Sequence, residues 1–155
     1  MNIKGVIGLI LIIAGLLGLF AWGKSMKNNH LIYFKDTKIA CLVNGHQNLA
    51  FHVHPKMKIT VDGVNEVIPA NVGIIDTCMS EVHTHDDTGE IHVESFSADR
   101  LAQLNLASLY EVWGINSERE GYNLEIYLDG QLKNSVTDVP IIDHSQIEMK
   151  YTTKK

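Results

Sequence analysis

The sequence predicts an α+β chain: an N-terminal transmembrane helix, then one small domain of β-hairpins in mixed sheets covered by one helix. Three observations lead there. Gly5–Trp22 is an 18-residue stretch with no charged or strongly polar side chain. Beyond it, Asp-Gly turns punctuate segments of alternating polarity, the period of a half-buried strand. A single long segment, SADRLAQLNLASLYEVWG, has the apolar spacing of a helix face.

The apolar stretch lies at the lower end of what crosses a hydrocarbon core of ~30 Å as a helix. Lys4 precedes it, and Trp22, Lys24 and Lys27 follow it as an interfacial belt would. A cleaved signal peptide is the rival reading, but its apolar core is usually only ~7–15 residues and ends in a small-x-small site that is missing here. Residues 1–23 are therefore expected to be an uncleaved signal anchor, 24–29 a polar linker, and 30–152 an extracytoplasmic His-rich domain on a single-pass cell-membrane protein.

Ten of the thirteen Lys and Arg, and all eighteen Asp and Glu, follow residue 27, so the domain carries a net charge of −8. Nucleic acids and anionic headgroups need clustered cations, so nucleic acid is excluded as a partner. The acidic balance suits cations.

The elements follow in order. Leu31–Phe34 is a candidate first strand. LAFHVHPKMKITV alternates along most of its length, with a bend expected at Pro55, which cannot donate to a ladder. Asp62-Gly63 turns this strand onto VNEVI, setting Met57, Ile59 and Val61 opposite Ile68, Glu66 and Val64. EIYLDGQLKNSV repeats the strand, Asp-Gly, strand pattern, and HSQIEMKY supplies a final strand. In the helical segment Ser97 is a candidate cap, Asn105 offers a second start, and Gly114 ends it. The order of helix, hairpin and strand suggests a β-grasp-like second half.

Chemistry concentrates in EVHTHDDTGEIHVES, residues 81–95. Asp86-Asp87-Thr88-Gly89 suits a four-residue loop, pairing His85 with Glu90, His83 with His92 and Glu81 with Glu94. One face then holds Glu81, His83, His85, Glu90, His92 and Glu94; the other holds Val82, Thr84, Ile91 and Val93. Phe51-His52-Val53-His54 alternates in the same sense, and pairing it beside the hairpin would line up five imidazoles on one polar surface. Imidazoles with neighbouring carboxylates suit transition metals at ~2.0–2.2 Å, copper or zinc among them. The candidate ligands are His52, His54, His83, His85, His92 and Glu94. Glu81 and Glu90 are read as solvated, Asp86 as the turn cap, and His30, His46 and His144 as polar surface.

Cys41 and Cys78 are candidates for one disulfide, which the chain-entropy model values at roughly 3–4 kcal/mol. The alternative is thiolate ligation, since each precedes a His-x-His pair. HTHDDTGE matches the spacing of a cupin's first metal motif, but the glycine before it and the second motif are missing. No metalloprotease, nucleophile-elbow, phosphate-loop or dinucleotide motif occurs.

FHVHPKMKITVDG, IPANVGI, CMSEVHTHDDTGEIHVES and LASLYEVWG, in that order, resemble a family of small membrane-anchored bacterial and archaeal proteins of uncharacterised function. The resemblance covers about residues 49–114. It implies that His52, His54, His83, His85, Asp86, Gly89, His92 and Glu94 sit at motif positions, and it brings no reaction. Val82 stands where the pattern usually has Leu, and Asn105 where the short helix usually opens with Thr. The expectations are then ranked: a membrane-tethered copper- or zinc-binding protein, a metal-dependent enzyme using the same histidines, or an accessory subunit of a membrane protein complex.

Overall fold

A computed structural model describes residues 31–42, 45–47 and 49–155. The expected anchor (1–23) and linker (24–29) lie outside them. Among the described residues no helix is long and apolar enough to cross a membrane.

The α+β expectation is corrected: the described chain is predominantly β, with ten strands and two short helices. Three sheets are built. The largest runs β3 (Val64–Glu66), β2 (Lys56–Val61), β10 (Gln146–Thr153), β8 (Tyr122–Leu128), β9 (Gln131–Lys133). The smallest pairs β4 (Ile74–Ile75) with β5 (Cys78–Met79). The third orders β1 (Phe51–Val53), β7 (His92–Ser95), β6 (Val82–His83) and carries the histidines.

Both Asp-Gly turns form as their chemistry demands. Asp62 and Gly63 take φ of 48° and 82°, and Asp129 and Gly130 take 48° and 78°. These are the paired positive angles of a two-residue turn that matches strand twist. The first turn fixes Ile59 opposite Glu66 and Val61 opposite Val64. The large sheet is not confined to the second half of the chain. β10 lies parallel to β2 and antiparallel to β8, joining the two hairpins through a pairing that spans ninety residues, Gln146 with Lys56.

Pro55 falls where the chain leaves one sheet for another. β1 ends at Val53 and β2 begins at Lys56. Having no amide proton, Pro55 contributes its carbonyl instead, which accepts from Ile91 N–H at 3.0 Å. Leu31–Phe34 forms no strand; Tyr33 makes one bridge to Ala40.

The expected single helix is two. Ser97 caps α1 (Ala98–Leu101) through its hydroxyl to Arg100 N–H. Asn105 then opens α2 (Leu106–Trp113) with a reciprocal capping box to Ser108. The Asn105 side chain satisfies an amide at the new start, so the chain leaves the first helical run after one turn. Gly114 closes α2 in the left-handed conformation at φ 75°. Leu106, Leu109 and Val112 of α2 join Val82, Val93, Ile59, Ile147 and Met149 in the core. The apolar face of the histidine sheet is therefore sealed from behind.

Candidate metal centre

Strand β7 is the spine of the site. His92 faces His83 of β6, and Glu94 faces His52 of β1, in antiparallel registers. These are the His83–His92 pair and the neighbouring FHV strand that turn chemistry and alternation predict. The ladder stops at His83, because Thr84 turns to the 69–72 segment. Its amide donates to Val72 O and its hydroxyl to Pro69 O. The expected His85–Glu90 pair is absent, and residues 84–91 form a longer loop that leaves His85 projecting beyond β6.

That loop is tied down at its far end. Asp86 Oδ1 accepts from Thr88 N–H at 2.9 Å, an Asx turn. Gly89 has φ 83°, and its carbonyl accepts from Met57 N–H at 2.8 Å. A Cβ on Gly89 would run into the Met57 carbonyl oxygen. Glycine is required there by both angle and space.

Part of the polar face is buried, while His52 and His85 stay exposed. Glu81, His83 and Glu94 are fully buried. Glu81 is corrected from a solvated acid to half of a buried ion pair with Arg100 of α1. It also accepts from Ala40 N–H at 3.1 Å. The other cover is the turn carrying His46, a residue read from sequence as plain surface. The segment bearing that turn is pinned by the Cys41–Cys78 disulfide, by a Cys41–Ser80 bridge, and by Leu42 N–H donating to Met79 O at 2.7 Å. The disulfide removes both thiols from the list of ligands.

Six of the chain's eight histidines meet here with Glu94. His83 Nδ1 lies 2.9 Å from the Ser80 carbonyl. A carbonyl only accepts, so Nδ1 carries the proton and Nε2 presents a bare lone pair. That lone pair lies 3.1 Å from His85 Nε2. Burial, reinforced by the charges of neighbouring imidazoles, lowers the His83 pKa to about 3, leaving the ring neutral at neutral pH. His92, lowered to about 4 chiefly by burial, is neutral as well. Ligating imidazoles must be unprotonated, and these two are already so.

On the β1 side, His52 Nε2 is 3.0 Å from Glu94 Oε1 and 3.3 Å from His92 Nδ1. His46 Nδ1 is 2.6 Å from the same Glu94 oxygen. Glu94 Oε2 is buried with no hydrogen-bond partner among the described residues. His54 stacks edge-on against His92, centroids 4.7 Å apart, while its backbone amide donates to Asp143.

Two nitrogens bound to one tetrahedral ion at ~2.0–2.1 Å stand ~3.3 Å apart, close to the separations found here. Three groups have donor atoms within 4.8 Å of one another and are able to hold a metal ion: His83, His85, His92; His52, His54, His92; and His46, His52, Glu94. All six ligand candidates from the sequence fall in these groups, and His46 joins them. His144 stays exposed beside Asp143. His30 lies outside the described residues.

No family model, no curated protein and no solved structure matches this chain.

Proposed function

We propose that this chain is a membrane-tethered, extracytoplasmic protein that binds a transition metal ion, zinc or copper, through the histidine cluster. The observation that carries the reading is His83. It is fully buried, its tautomer is set by the Ser80 carbonyl, and its free nitrogen faces His85. A surface histidine has no need of such a support, whereas metal-ligating histidines almost always donate their second nitrogen's proton to a carbonyl or carboxylate. The apolar stretch Gly5–Trp22 and the acidic domain behind it support tethering and a cationic ligand.

The donor set narrows the choice of ion. It consists of imidazoles and one carboxylate, with both thiols oxidised. Such a set suits Zn(II) or Cu(II) better than the thiolate-seeking Cu(I).

The test is direct. Full-length chain, purified in detergent and stripped with a chelator, is titrated with Zn(II) and Cu(II) and desalted, and retained metal is counted. Wild type is expected to retain metal, and the His83→Ala/His85→Ala variant to lose at least one equivalent. A wild type that retains nothing, or a variant that retains as much, overturns the reading.

A further inference from the structure

We propose that the cluster holds two metal ions at once, one at His83, His85 and His92 and the other at His46, His52 and Glu94. This rests on the metal-binding reading above and gives it a stoichiometry.

The two groups share no residue. The third possible group borrows His52 from one and His92 from the other, so it competes with both rather than adding a site. The donor sets also differ in kind. The first is three imidazoles, two of them on facing strands. The second pairs two imidazoles with a carboxylate.

Glu94 is the strongest sign that the second group is a built site. Its side chain is fully buried, and a buried carboxylate costs several kcal/mol unless a cation or a full set of donors compensates it. Its neighbours are His46 and His52, both on the same oxygen, Oε1. Oε2 is left without a partner among the described residues. Arg100 is occupied by Glu81. A divalent ion held by His46, His52 and one or both Glu94 oxygens supplies the missing charge and takes up the orphaned atom.

The two sites abut. His52 Nε2 and His92 Nδ1, one from each set, are 3.3 Å apart. Two ions held by these neighbouring sets would lie near one another. Neighbouring Cu(II) ions broaden each other's resonance through dipolar coupling, which gives a readout independent of counting.

The experiment loads full-length chain in detergent with Zn(II), counts ions per chain by native mass spectrometry, and repeats the loading with Cu(II) for electron paramagnetic resonance. Wild type is expected to hold two ions, with the Cu(II) signal broadened by dipolar coupling. His46→Ala, a change at a half-exposed turn residue, is expected to hold one ion and to regain the signal of an isolated Cu(II). His144→Ala is the control and should still hold two. A wild type saturating at one ion overturns this inference while leaving metal binding intact. Two ions in the His46→Ala variant overturn the assignment of His46. A wild type that binds none sinks the underlying metal-binding reading itself.

Discussion

Replacing Arg100 by Met tests how the floor of the site is held. Glu81 is fully buried, and Arg100 Nε donates to its Oε1 at 3.2 Å while Nη2 pairs with Oε2. Without the guanidinium, the carboxylate keeps the Ala40 amide at 3.1 Å and a weak Ser95 hydroxyl contact at 3.5 Å. Removing one partner of a buried pair costs roughly 3–5 kcal/mol, because the other charge is left uncompensated. For a domain of this size that lowers the melting temperature by about 9–30 °C, at ~3–6 °C per kcal/mol. The assay is thermal and urea unfolding of the detergent-purified chain, followed by near-ultraviolet circular dichroism. Glu81→Gln alone, and the double variant, complete a cycle. The double variant should be more stable than Arg100→Met alone, since it no longer buries an unpaired charge. If Arg100→Met melts within two or three degrees of wild type, or the double variant is no better than the single, the pair is not what fixes the floor.

Three further outcomes are expected. With metal removed, His83 makes stability fall on acidification. Its native pKa of about 3 lies below the ordinary 6.5, so between those values the unfolded chain binds the extra proton and the native one does not. The loss begins as pH drops below about 6.5, at up to ~1.4 kcal/mol per pH unit. His83→Asn, which keeps a donor for Ser80 O, should make the slope shallower in urea titrations between pH 7 and 4.5, leaving the share that His92 contributes, and parallel profiles would refute the assignment. Gly89→Ala, at φ 83° and against the Met57 carbonyl, should cost about 1–3 kcal/mol and weaken metal affinity by displacing the loop that ends at His92; unchanged melting and affinity would contradict this. Reduction of Cys41–Cys78, closing a loop of 37 residues, should lower unfolding free energy by roughly 3–4 kcal/mol in the same denaturation assay.

What could be read from the sequence was what neighbouring residues decide among themselves. Asp62-Gly63 and Asp129-Gly130 set their own angles, and with them the registers of β2–β3 and β8–β9. Period-two alternation put His83 opposite His92 and made Phe51–Val53 a credible neighbour of β7, because a one-residue slip would have buried the wrong faces. What escaped depends on partners far along the chain. Nothing near Glu81 announces Arg100, nineteen residues on, and nothing near His46 announces Glu94, forty-eight residues on. The hairpin also ended early because Thr84 found Pro69 and Val72, a competition invisible in the local pattern. The division of the helical segment into two has a local cause. Asn105 was visible as a second start, and its capping box with Ser108 outweighs continuation of the first turn.

The Cys41–Cys78 bond links the placement of His46 to the redox state of two cysteines that lie outside the cluster. The segment that delivers His46 to Glu94 is anchored at Cys41 by the disulfide as well as by backbone hydrogen bonds, so closing the bond narrows the positions open to His46. His83 and His92, by contrast, are held to each other by the β6–β7 ladder, so the bond bears on one side of the cluster more than on the other.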